Sequence, residues 1–116
     1  MIVMKTIFEK IIDREIPSTI EYEDDAVIAF RDVTPQAPIH ILIVPKKRIT
    51  SINECNDDDG SLLGELFLTA KKIAKKLKID DNGYRLVVNT GKDAGQTVFH
   101  LHIHFLAGRD LNWPPG

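Results

Sequence analysis

His100-Leu101-His102-Ile103-His104-Phe105-Leu106 is the stretch on which the reading of this 116-residue chain turns. Side chains on a β-strand alternate faces, so three histidines at every second position fall on one side of it. Leu101, Ile103 and Phe105 then face the other way, into a core. Two residues of strand advance about 6.5–7 Å, so neighbouring imidazoles are expected to be too far apart to hydrogen-bond along the whole row. They are close enough to share one substrate group. The row holds three of the four histidines of the chain.

Working outward, Phe99 to Leu106 reads as the last strand and Tyr84 to Asn89 as the strand before it. Between them, Asn89-Thr90-Gly91-Lys92-Asp93-Ala94-Gly95-Gln96-Thr97 is a loop with two glycines. Glycine lets backbone amides approach an anion closely, and lying directly before the histidine row the loop is a candidate phosphate cradle. Upstream, Asp80-Asp81-Asn82-Gly83 ends a long helix that starts after Asp57-Asp58-Asp59, where negative charge suits the helix dipole. Leu62, Leu63, Leu66, Phe67, Ala70, Ile73, Ala74 and Leu77 mark its buried face. Lys71, Lys72, Lys75, Lys76 and Lys78 cover the other face, which reads as solvated rather than as a nucleic-acid site.

At the N-terminal end, Thr6-Ile7-Phe8-Glu9 fits a capping box, and Ile7, Phe8, Ile11 and Ile12 carry a short helix to about Glu15, before Pro17. Ile20–Glu23, Val27–Arg31 and Ile39–Val44 read as strands, the last stopped by Pro45, and 32–38 as a loop with two prolines. The sum is an α+β fold: a five-stranded antiparallel sheet with one long and one short helix packed on it.

Composition removes several function classes. A formal net charge of −2 and 28% charged residues give no basic excess, so nucleic acid is not an expected partner. Cys55 stands alone, which rules out an intrachain disulfide and suits a reducing compartment. No apolar run reaches membrane-spanning length, and the N-terminal residues are too few for a signal-peptide core. A cytoplasmic protein with no membrane partner is the expectation.

Three chemistries fit the histidine row. Buried structural histidines are one, but three on one face leave several ring nitrogens needing partners. A zinc site is another, since His-x-His is a legitimate zinc spacing and His40 could add a ligand. Against it, no acidic residue lies inside the motif and a glycine loop precedes it. The third is a neutral imidazole attacking phosphorus, with its far nitrogen fixed as a donor and flanking rings stabilising the phosphoryl oxygens.

The pattern His-apolar-His-apolar-His-apolar-apolar resembles the signature of the histidine triad superfamily of nucleotide hydrolases and transferases. Asn89 to Phe99, Ala107-Gly108-Arg109, Trp113-Pro114-Pro115-Gly116, Thr6-Ile7-Phe8 and Pro35-Gln36-Ala37-Pro38-Ile39-His40 resemble its histidine triad nucleotide-binding protein branch. The resemblance spans nearly the whole chain and implies a single domain of that family over residues 1–116. It implies His102 as the nucleophile of a covalent nucleotidyl-histidine, His104 beside the phosphate or leaving group, and His100 orienting His102, with His40 completing the set. It places phosphate at Asn89, Gly95 and Thr97, where Thr97 replaces a more usual serine. It places the ribose hydroxyls on Asp32 and the base among Ile7, Phe8, Ile11, Ile16, Phe30, Val33 and Leu42.

The nucleotidyltransferase branch carries glutamine where this chain has His104, so the resemblance favours hydrolysis. Arg31 stands where the branch often has histidine. The resemblance therefore implies a purine nucleoside phosphoramidase acting on nucleotides of the AMP or GMP kind, with no cofactor and no metal. It further implies a homodimer whose two sheets join into one, with the C-terminal tail near the active site. The rival readings are a nucleotide-binding or scaffold dimer without catalysis, a zinc-binding protein, and cleavage of dinucleoside polyphosphates.

Overall fold

Thr6 opens the first helix, α1 (Ile7–Ile12), through the expected capping box. Its hydroxyl accepts the Glu9 N–H at 3.1 Å and the Glu9 carboxylate accepts the Thr6 N–H at 3.0 Å. The helix is shorter than the sequence suggests. Arg14 takes a left-handed conformation, φ 61°, and the N–H groups of Arg14 and Glu15 bond back to Ile11 and Lys10. That pair of bonds closes the helix about three residues early and satisfies its last carbonyls. The computed structural model describes residues 4–116.

The strands are β1 (Ile20–Glu23), β2 (Val27–Arg31), β3 (Ile39–Pro45), β4 (Arg85–Val87) and β5 (Ile103–Ala107), all antiparallel in the order β1-β2-β3-β5-β4. The long helix α2 (Gly60–Lys76) follows two short 3-10 turns at Ile52–Glu54 and Asp57–Asp59. Among the described residues no helix is long and apolar enough to cross a membrane.

The two helices cover opposite faces of the sheet, and strand alternation decides which residue goes where. Val27, Ala29, Ile41, Ile43, Ile103 and Phe105 pack under Leu66, Ala70, Ile73 and Ala74 of α2. Ile28, Phe30, Leu42 and Val44 point the other way, against Phe8 and Ile11 of α1. Because β3 pairs with β5, Leu42 lies opposite His104 and His40 opposite Leu106 on the α1 face.

Two strands are shorter than expected. β4 covers only Arg85–Val87 of the expected Tyr84–Asn89. β5 begins at Ile103, not Phe99: its ladder with β3 ends at the Ile43–Ile103 pair, two residues before β3 itself ends at Pro45. Residues 99–102 run past the end of the sheet, tied to it by the Leu101 N–H on the Ile49 carbonyl at 2.7 Å. Alternation nonetheless persists: Leu101 and Ile103 are buried with the α2 core, and His100 and His102 are buried on their own.

The α2 face needs one correction. Phe67, expected inside, is 51% exposed, whereas Thr69 is buried with its hydroxyl donating to the Glu65 carbonyl at 2.7 Å. The helical stripe is thus narrower than the apolar residues alone suggest, and Ile52 and Phe67 border a surface groove instead. Asp57–Asp59 forms a 3-10 turn in which Asp59 accepts from the Asn56 N–H and pairs with Lys47 at 2.6 Å, which holds its carboxyl below the usual range. The lysines are exposed as expected, and two of them reach back to β1: Lys76 donates to the Glu21 carbonyl at 2.7 Å and Lys72 sits 5.6 Å from the centre of the Tyr22 ring.

Candidate active site

On the α1 face a cleft of about 280 Å³ opens between α1, the ends of β2 and β3, and the segment leading into β5. Its walls include Ile7, Phe8, Ile11, Ile16, Phe30, Val33 and Leu42, seven apolar residues, together with Asp32, Thr97, His102 and His104. Pro17, Ser18, Arg31 and Val98 also line it, and none of these four was singled out in sequence as a wall residue. Asn89, Gly95, His40 and His100 lie outside the wall. The two glycines of the loop do adopt left-handed φ values, 84° for Gly91 and 87° for Gly95, as a tight turn there requires.

Gln96 braces that loop from within. Its side chain accepts the Gly91 N–H at 2.9 Å and donates to the carbonyls of Thr50 and Val98 at 2.7 and 3.2 Å. Sequence reading passed over Gln96, because a glutamine in a polar loop gives no sign of being buried.

The imidazole rings are closer than strand spacing alone predicts. The centroids of His102 and His104 are 4.9 Å apart, and His40 Nε2 lies 2.9 Å from His104 Nδ1. His100 is withdrawn from the row, fully buried behind the cleft, and Phe8 packs edge-on against His102 at 4.9 Å. Burial lowers the pKa of all four histidines below the ordinary 6.5, and for His104 down to about 4 with neighbouring His102 and His40 adding to the effect. All four rings are therefore neutral at pH 7.

Neutral rings make the proton positions a matter of partner chemistry, since carbonyls only accept and backbone amides only donate. His102 Nδ1 lies 2.7 Å from the His100 carbonyl, so Nδ1 carries the proton and Nε2 carries a lone pair. His40 Nδ1 accepts the Gln36 N–H at 3.0 Å, so its proton sits on Nε2 and is donated to His104 Nδ1. His104 in turn must hold its proton on Nε2. The row thus presents one ring with a lone pair beside one ring with an N–H.

Gln36 is held for this task by two contacts. Gly108 has φ 94°, and a Cβ there would lie 2.9 Å from Pro38 Cβ, so only glycine lets the end of β5 approach the 32–38 loop so closely. Arg109 then donates to the Gln36 carbonyl at 2.9 Å. A backbone N–H as the tautomer-setting donor leaves no mark in sequence.

Asp32 stands at the end of β2, with Oδ1 accepting the Thr34 N–H at 2.8 Å and Oδ2 at 3.5 Å from His40 Nε2. With His40 and His104 it forms a group whose ligand atoms all lie within 4.8 Å of one another. This acidic neighbour comes from another strand, so its absence from the His-x-His motif did not weigh against a metal as expected. The hydrogen bonds do. A metal-ligating histidine donates an N–H from its other ring nitrogen, but His40 Nδ1 accepts one from Gln36, which puts a proton on the nitrogen a metal would need.

This arrangement can be compared with known proteins. The HIT domain model matches residues 13–111. The chain belongs to the HIT family. A HIT-like protein of Synechocystis is 55% identical over 96% of both chains, and one of Synechococcus elongatus is 58% identical over the same shares. Among solved structures, a HIT family hydrolase from Legionella pneumophila superposes with a TM-score of 0.94 at 49% identity, over 97% of this chain and all of the other. A histidine triad nucleotide-binding protein from Candida albicans gives 0.81 at 34% identity, over 95% of this chain and 83% of the other. The antiparallel five-stranded α+β fold is that of these HIT relatives, and the row His100-x-His102-x-His104 supplies the triad.

Proposed function

We propose that this protein is a purine nucleoside phosphoramidase that splits the P–N bond of nucleoside 5′-monophosphate amides through a covalent intermediate on His102. The observation that carries the reading is the 2.7 Å bond from His102 Nδ1 to the His100 carbonyl, which leaves a nucleophilic lone pair on Nε2 at the cleft. In the first step Nε2 bonds to phosphorus, the P–N bond breaks, and the nitrogen leaves as the amine with a proton taken from solvent, while the His104 Nε2–H hydrogen-bonds the phosphoryl oxygens. In the second, water attacks phosphorus, His102 Nε2 leaves with its lone pair, and the water's proton returns to solvent. His40 backs His104 by donating to its Nδ1, and His100 supplies the carbonyl that orients His102.

The apolar walls suit a purine, and the Asp32 carboxylate suits the paired hydroxyls of a ribose. Asn89, Gly95 and Thr97 are the groups we assign to the phosphate. Acyl and aminoacyl adenylates, with the same phosphoryl centre, are further candidate substrates. No metal or cofactor enters this scheme.

We further propose that the protein works as a homodimer in the cytoplasm, joined beside α2 and β4. Ile52, Leu63, Leu66, Phe67, Val88 and Thr90 line an apolar groove there, and Phe67 and Leu68 are each 51% exposed. Light scattering should give twice the 13.1 kDa mass of the chain, and a monomer at micromolar concentration would refute the dimer.

Steady-state hydrolysis of adenosine 5′-phosphoramidate in excess chelator tests the reaction. Turnover supports the nucleophile and disposes of a zinc requirement. Activity only after zinc is added would move the row to metal chemistry, and tight AMP binding without turnover would favour a non-catalytic binding protein. The pH profile is a second check. Because His102 is buried and its pKa lowered, kcat/KM should stay level as pH falls through 6.5 and drop only further into the acid range. An acid limb centred at or above 6.5 would show that the ring titrates as if exposed.

A further inference from the structure

His100 and His102 lie outside the regular strand, and the peptide that carries the His100 carbonyl has one backbone tether, the Leu101 N–H on the Ile49 carbonyl at 2.7 Å. The His100 ring adds two more. The His100 ring, fully buried, is gripped at both nitrogens. Nε2 lies 2.8 Å from the Pro45 carbonyl, which can only accept, so Nε2 carries the proton. Nδ1 therefore bears a lone pair, and it lies 3.2 Å from the Thr6 hydroxyl.

Thr6 can serve that lone pair because its other role uses its oxygen, not its hydrogen. As the N-cap of α1 its Oγ1 accepts the Glu9 N–H, which leaves the hydroxyl proton free for His100 Nδ1. We propose that Thr6 is a positioning residue for the nucleophile: one hydroxyl joins the cap of α1 to the His100 ring, whose backbone then holds His102 in its attacking tautomer. The inference rests on the hydrolase reading above.

The link runs in a useful direction. α1 also supplies Ile7, Phe8 and Ile11 to the nucleoside cleft, and the Phe8 ring meets both His102 and His100 edge-on, at 4.9 and 5.9 Å. The helix that faces the base is thereby fastened to the ring that orients the attacking nitrogen. Apart from this link, Glu9 pairs with Arg48 at 3.2 Å, and Arg48 donates to the Met4 carbonyl, contacts that steady the start of the helix.

Three variants separate this role from helix capping. Glycine is nearly as good an N-cap as threonine, so Thr6→Gly keeps the helix while removing the hydroxyl. It should lower kcat by roughly ten- to a hundredfold through a misplaced nucleophile, with KM little changed. Thr6→Ser should recover most of that loss. Glu9→Ala, which breaks the other half of the capping box and spares the hydroxyl, should lower thermal stability and keep kcat.

An unchanged kcat in Thr6→Gly, beside an active wild type, overturns the inference and leaves the hydrolase reading standing. A fall in Glu9→Ala equal to that in Thr6→Gly overturns it as well, since capping alone would then suffice. The ring-nitrogen NMR spectra of histidine-labelled protein read the coupling without turnover. Thr6→Gly should shift His100 Nδ1 and, through the backbone, the His102 Nδ1–H. If wild-type protein shows no hydrolysis, the proposed function falls, and an unmoved His102 signal would remove the Thr6 link too.

Discussion

His102→Ala should reduce hydrolysis of adenosine 5′-phosphoramidate by on the order of 10⁴-fold or more, the scale seen when an enzyme loses its covalent nucleophile. Binding of AMP should survive. The apolar walls of the cleft come mainly from α1, β2, β3 and the loops beside them, and only one ring of the cleft is removed. His104 and His40 retain their shared bond, and Gln36 still sets its polarity. The measurement is kcat together with AMP affinity by calorimetry, on protein whose unfolding transition matches the wild type. Loss of AMP binding with the fold intact would assign His102 to ground-state binding instead. Trapping of nucleotide on the wild-type protein after an alkaline quench, absent in the variant, would identify the intermediate directly.

Phe105→Ala should lower the free energy of unfolding by about 3–5 kcal/mol, as expected for emptying the site of a fully buried aromatic. Phe105 has no exposed surface, stacks on Tyr84 with centroids 4.8 Å apart, and pairs across the sheet with Ile41 and Leu86. It sits immediately after His104, on the opposite face of β5, so its loss should also loosen the strand that carries the active-site row. Urea unfolding gives the value, and an unchanged slope with denaturant would show that compactness is preserved. A loss under ~1.5 kcal/mol, the range of a tolerated core swap, would mean that the inner face of β5 is not the core it is taken to be.

These two substitutions, three residues apart, probe the two faces of one segment, and that two-faced character was legible in the sequence. Alternation of His with Leu, Ile and Phe is local: side chains change sides at every residue of extended chain whatever its partners. For that reason it held even at His100 and His102, where the ladder did not reach. The Thr6–Glu9 capping box is a local signal of the same kind. The helix ends were not legible: α1 closes at Ile12 ahead of Pro17, and α2 at Lys76 ahead of Asp80–Gly83, each followed by a left-handed residue, Arg14 and Lys78.

What was not legible depended on partners far away in the chain. The length of β5 was set by where its ladder with β3 stops, at the Ile43–Ile103 pair, and the exposure of Phe67 by how narrow a stripe of α2 meets the sheet. The fourth histidine joins the row because β3 lies beside β5, which the family resemblance around His40 implied and local periodicity did not. Most of all, the proton positions were set by a carbonyl at residue 100, an amide at residue 36, a carbonyl at residue 45 and a hydroxyl at residue 6. Three of these four are backbone groups, the same whatever side chain the residue carries. By itself the sequence determined which residues face inward, which histidines share a side and which family the chain resembles. Only the tertiary structure decided which ring nitrogen carries a lone pair and which carries a proton, because backbone donors and acceptors acquire chemical identity from where folding puts them.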